Sequence, residues 1–217
     1  MGGLFSIDNP IMRFLGKVTD CFILSILWCV CCIPIITAGA STTAFYYTVT
    51  KTIRNDRGYV LREFGDSFKS NFKQSTVVWL IMLLIVVFAF VDLYCAYRLM
   101  VAKVIPNFAF WFLVFFFVWI YMWMLYLLPY IARFENTTKK VMKNSFYMMI
   151  QNIFWSILNA IVCGLGTIIF LMIPELVFII APVCMVLLSM GLERVFRKYM
   201  SEEDLKLENL RNGNDEI

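Results

Sequence analysis

Three stretches of this 217-residue chain, residues 77–91, 108–132 and 153–174, contain no charged side chain at all. A helix needs about 20 predominantly apolar residues to cross a bilayer core of ~30 Å, and uncharged runs of ~18 or more read as such crossings. Composition agrees. Apolar residues make up 61% of the chain and charged ones 16%, against roughly 45–50% and about 25% in soluble domains. The chain is therefore expected to be all-α, a polytopic transmembrane helical bundle with a bacterial plasma-membrane protein's relation to the lipid bilayer. Residues 1–200 are taken as one transmembrane domain and 201–217 as a short cytoplasmic tail.

The stretch "WCVCCIPIITAGASTTAFYY", residues 28–47, sets the number of spans. An apolar run meets Pro34, then a small polar cluster, and turns apolar again. Proline is tolerated near a helix end, and Thr37 or Ser41 can cap a new helix beginning at once. Residues 37–54 supply about 27 Å of helix by rise, so the simplest reading is a hairpin with a tight corner. The rival is one kinked span with an amphipathic continuation.

Charge separates the two. Basic segments at 51–73, 133–143 and 194–211 belong on one side by the positive-inside rule. A corner at 37–41 brings Arg13 and Lys17 to the same side and leaves Arg98 and Lys103 opposite. Six spans with both termini cytoplasmic are preferred, and five is the alternative. The later spans fall at 76–97, 105–131, 153–173 and 175–192. Trp79, Tyr94, Tyr97, Trp111, Tyr130 and Trp155 gather near ends as an interfacial belt, while Trp119 and Trp123 pack between helices.

Two amphipathic linkers, 52–75 and 130–152, each join one span to another, with Ser67-Phe68 matching Ser145-Phe146. Two shared residues and a shared layout make a weak internal repeat, of the kind that internal duplication produces in transporter folds. In the first linker Leu61, Phe64, Phe68 and Phe72 recur at helical spacing, and Arg62, Asp66, Lys69 and Lys73 take the other face. This predicts a helix on the anionic cytoplasmic leaflet. The competing reading is a docking surface whose aromatic stripe faces protein. Ser201 with Asp204 reads as the cap of a short C-terminal helix.

Recognised chemistry is sparse. Histidine is absent, which removes the commonest general base and metal ligand. There is no GxxxxGK[ST] loop, HExxH or GxSxG, and no nucleic-acid-binding module. The seven cysteines lie almost entirely in apolar runs. Cys29 and Cys32 could share a helix face as soft-metal ligands, though small apolar filling explains them more simply. No catalytic residue, metal or cofactor is therefore expected, and the net charge of +4 is explained by the linkers.

Intramembrane carboxylates are functional suspects because they are costly in hydrocarbon. Asp92 lies about 24 Å along the third span from Thr76, near its outer boundary, where headgroup-level placement beside Tyr94 and Arg98 is the plainer reading. Asp20, Glu175 and Glu193 fall at predicted span ends. Thr37, Ser41 and Thr43 form the second candidate ligand site, because a helix N-terminus can hold an anion or a hydroxyl-rich ligand. Their structural alternative, with Pro34 and Gly39, is close helix approach and capping.

Leu27-Trp28, Pro34, Thr37, Gly39, Ala44, Tyr46 and Tyr47, followed by Phe64, Phe68, Asn71, Phe72, Lys73 and Gln74, resemble the YesL family of small bacterial integral membrane proteins. The resemblance covers roughly the first third of the chain. It implies no established activity. Members are typically encoded beside carbohydrate ABC transporters and sensor kinases, which implies an accessory role in sugar uptake or its sensing, with an ABC permease as partner. The competing class is a stand-alone small-molecule transporter or lipid-binding protein using Asp92 and the 37–43 corner. A membrane enzyme ranks third.

Overall fold

The computed structural model describes residues 10–55, 58–203 and 205–206. Among these residues there are seven α-helices joined by short 3-10 and π turns, and no strand. The helices are α1 (Pro10–Cys32), α2 (Ala38–Thr48), α3 (Val60–Val101), α4 (Asn107–Arg133), α5 (Thr138–Gln151), α6 (Ile153–Met172) and α7 (Val177–Phe196). Five of them, all but α2 and α5, are long and apolar enough to cross a membrane. An all-α membrane bundle follows from the sequence runs.

The chain folds as three consecutive antiparallel hairpins. In the first, Pro34 has no N–H to continue α1 and disfavours helical backbone just before it, so α1 stops at Cys32. Trp28 then meets the helix that follows: its Nε1 donates to Thr42 Oγ1 (3.2 Å), and its carbonyl accepts from Ser41 Oγ (3.2 Å). Residues 13 apart in a straight helix would stand about 20 Å apart. The corner read from sequence is real.

In the second hairpin, Tyr97 meets Phe110 near the tip, with ring centroids 6.1 Å apart. At its base Gln74 Nε2 donates to the Asn136 carbonyl. In the third hairpin, Gly166 lies against Cys184 and Gly191 against Asn159, so α6 and α7 approach through small residues. Helix α5 closes the basic end, with Val141, Ser145, Met148 and Met149 buried.

Two expectations change. The first linker is not a separate surface helix: residues 60–75 are the opening turns of the 42-residue α3. Nor does the aromatic stripe run along lipid. Phe64 is 4% exposed and joins Leu24, Phe45, Val49 and Ile53 in one core cluster, with Phe68 packed against it. Leu61, at 63% exposure, remains outward with the polar face of Arg62, Asp66, Lys69 and Lys73. The hydrophobic stripe exists because α2 needs a partner, and α3 supplies it.

The second change concerns α2 itself. It is short, rich in small and hydroxyl side chains, and buried along most of its length. Its start sits beside Trp79, whose Nε1 donates to the Ile35 carbonyl (2.8 Å). From there α3 runs on to Val101, about 33 Å by helical rise. The first hairpin therefore turns well short of the tip of the second. Tyr130 also leaves the interfacial belt: at 2% exposure it is a core residue.

Asp204, proposed as half of a C-terminal cap, and residues 207–217 lie outside the described residues, as do Gly2 and the other residues before Pro10.

Candidate functional site

Chemistry in this bundle concentrates at the basic end, where α2, α3, α4 and α7 meet. The aromatic and small residues of α2 bring it close enough to carry Tyr46 into the interior, 1% exposed. There its hydroxyl donates to Glu193 Oε1 (2.9 Å). Arg133, at the end of α4, places Nη2 at 3.2 Å from Glu193 Oε2. Glu193 is only 7% exposed, so a carboxylate is held inside the bundle by one cation and one hydroxyl. Such a group is tolerated only when paired and hydrogen-bonded. Arg54 completes the link between α2 and α7 through Ser189 Oγ (3.3 Å). Lys51, one turn earlier, binds Glu63 Oε2 (2.6 Å) and so ties the π turn to the start of α3.

Next to this network lies a cleft of about 830 Å³ between the first turns of α3 and the α4–α5 connection. Asp66, Ser70, Asn71 and Gln74 line one wall; Arg133, Glu135, Asn136 and Lys140 line the other. The connecting strand of chain is held in place from below. Gln74 Nε2 binds the Asn136 carbonyl (2.5 Å), and the Tyr130 hydroxyl accepts from both Asn136 and Asn144 (3.0 Å each). The cleft offers hydrogen-bond donors and acceptors with cations and carboxylates on facing sides. It can hold a polar molecule or a polar segment of a partner. Arg133 belongs to both the cleft and the buried pair, so whatever enters the cleft meets the same guanidinium that holds Glu193.

The residues singled out from sequence do not converge here. Thr37 Oγ1 donates to the Cys31 and Pro34 carbonyls (2.7 and 2.9 Å), and Thr43 Oγ1 to the Gly39 carbonyl (3.0 Å). Ser41 and Thr43 are fully buried. These hydroxyls are engaged in fastening the corner. Gly39 does what close approach requires, but toward α3: a Cβ there would meet Trp79 and, at 2.8 Å, the Ser75 carbonyl. Asp92 is exposed on α3, some 20 Å by rise beyond Trp79, and Arg98 donates instead to the Tyr94 hydroxyl (3.2 Å). Asp92 and the corner are therefore not one site.

The sequence reading passed over Tyr46, Arg133 and Glu193 as a group. Glu193 had a signal, a carboxylate beside an apolar run, yet its place near the end of the run made it look ordinary. Its partners lie 60 and 147 positions away in the chain, and only packing joins them.

A family profile described as "Protein of unknown function, DUF624" matches residues 21–93. That segment holds the second half of α1, the corner, all of α2 and α3 as far as the residue after Asp92; Arg133 and Glu193 lie outside it. No curated protein matches the chain, and no solved structure does.

Proposed function

We propose that this chain is a non-enzymatic accessory protein of the bacterial cell membrane that serves carbohydrate ABC transport or its sensing. It acts by contact, with its basic end in the cytoplasm together with both chain ends. The carbohydrate connection comes from the YesL resemblance, and the residues carrying it fall in the segment that the family profile matches. The observation that carries an accessory role is the placing of the polar cleft at one end of the bundle. The cleft opens at the basic end, and between it and the far tip of the α3–α4 hairpin stand Met82, Tyr126 and Leu127, none more than 1% exposed. A transporter site is expected near the midplane between repeats. A closed middle with a polar face at one end suits a protein that receives a partner, here a permease.

Co-purification from mild detergent tests this. The expected result is a stoichiometric ABC permease retained by the native chain and lost on Asp66→Lys with Glu135→Lys, which reverse charge on both walls of the cleft. A lone monomer carrying bound solute or lipid would overturn the accessory reading in favour of a stand-alone transporter or lipid-binding protein.

A further inference from the structure

Helix α5 carries an outward face that is largely free of the bundle, with Lys140 also reaching the cleft and Phe146 touching Trp123 at its edge. Its sequence, TKKVMKNSFYMMIQ, contains three lysines and no carboxylate. The inward side is accounted for: Val141, Ser145 and Met149 are fully buried, and Ser145 Oγ accepts from Trp123 Nε1 (3.2 Å). On the outward side Lys139, Lys140 and Lys143 are exposed along the first half. Phe146, Tyr147 and Ile150 follow on the second half at 41%, 58% and 41% exposure. Three large apolar side chains in water would be unusual on a helix otherwise so polar.

The apolar surface does not end with α5. It passes through Ile153, 40% exposed, and Phe154, 71% exposed, to Ile157, Leu158 and Ile161 on α6, one of the five helices fit to cross the membrane. Helix α5 is too short to cross: 14 residues rise about 21 Å against a core of ~30 Å. The bend between the two helices is made at Asn152, with φ −118° and ψ 48°. It lets α5 turn aside where α6 enters the hydrocarbon.

We propose that α5 seats on an anionic bilayer surface, with Lys139, Lys140 and Lys143 at the level of the lipid phosphates and Phe146, Tyr147 and Ile150 in the acyl boundary. Two features single out this occupant. The lysines complement a negatively charged leaflet, where each contributes about fivefold in affinity. The aromatic half is continuous with the lipid-facing side of α6. This role goes beyond the accessory reading, sharing with it only Lys140, and moves the membrane-surface helix from the first linker, whose stripe packs on α2, to the second.

The test uses the full chain, with native cysteines replaced and a Tyr147→Cys variant carrying a polarity-sensitive fluorophore, in vesicles of phosphatidylcholine with or without phosphatidylglycerol. A blue shift on adding phosphatidylglycerol, reversed by salt, is expected. Lys139→Gln, Lys140→Gln and Lys143→Gln together should abolish it, whereas Lys69→Gln with Lys73→Gln should leave it intact. A fluorophore that stays in water in both lipids would overturn the proposal, and so would a shift of equal size without anionic lipid. The salt titration is made without lysine substitutions, so a folding defect in the triple variant cannot mask the answer.

Discussion

Gly39 shows how little space the interior leaves. Its missing side chain lets α2 lie against Ser75 and Trp79 of α3, whereas Gly65 on α3 has nothing within 4 Å of where a Cβ would stand. Gly39→Ala should lower unfolding stability in detergent by ~1–3 kcal/mol, the usual cost of overpacking. Gly65→Ala should be neutral or stabilise by up to ~1 kcal/mol, because glycine is a poor residue inside a helix. Equal melting temperatures for the two variants would show that α2 and α3 have room to shift. Glu193 makes the complementary case for charge. Glu193→Ala removes the acceptor of the buried Tyr46 hydroxyl and breaks the contact to Arg133; breaking a buried pair typically costs ~3–5 kcal/mol, so this variant should melt well below the native chain. Combined with Arg133→Met, the loss should be less than the sum of the two single losses, since either substitution alone already breaks the contact. Strictly additive losses in that double-mutant cycle would mean that the 3.2 Å contact carries no coupling.

Among the elements, the two linkers diverge for a local reason. Residues 60–75 continue straight into a span, while α5 is cut from α6 at Asn152. Ser67 and Ser145, the matching positions of the repeat pattern, are both buried, so the pattern reports a shared inward face. The joint at Asn152 is held by its own side chain. Nδ2 donates to the Met148 carbonyl (3.1 Å) and the Tyr199 hydroxyl (3.0 Å), and Oδ1 accepts from Lys198 Nζ (3.1 Å). Asn152→Leu removes all three bonds at a buried position, and stability should fall by ~1–3 kcal/mol. Thermal unfolding of this variant beside Tyr199→Phe checks the assignment. The asparagine variant should be the weaker of the two, because the phenylalanine variant keeps the bonds to Met148 and Lys198.

For the whole molecule, three antiparallel hairpins put the two described ends of the chain at the same end of the bundle. The corner of the first hairpin presents apolar surface outward: Ile33, Ile35 and Ile36 are 78%, 64% and 56% exposed. With α3 running on well past it, this corner should face hydrocarbon and not water. In a background without native cysteines, Asn55→Cys and Glu135→Cys should react with an impermeant thiol reagent from the cytoplasmic side. Ala102→Cys should react from the opposite side, and Ile36→Cys from neither. Labelling of position 36 from outside would restore six full crossings. Labelling of 55 and 135 from opposite sides would break the hairpin arrangement altogether.

Long uncharged runs sufficed to establish a helical membrane protein, because hydrocarbon admits so few alternatives. The corner at Pro34 was legible for a similarly local reason: proline and the small residues after it act within a few positions of themselves. What α2 packs against was not local. An amphipathic stripe at Phe64 and Phe68 reads the same whether its apolar side meets lipid or another helix, and only the approach of α2 through Gly39 decided for protein. The same holds for charge. Sequence set Glu193 and Arg133 at the ends of two apolar runs, where carboxylates and cations are commonplace. Tertiary packing brought them within 3.2 Å of each other, under a tyrosine from a third helix, and a buried charge persists only where such partners arrive together.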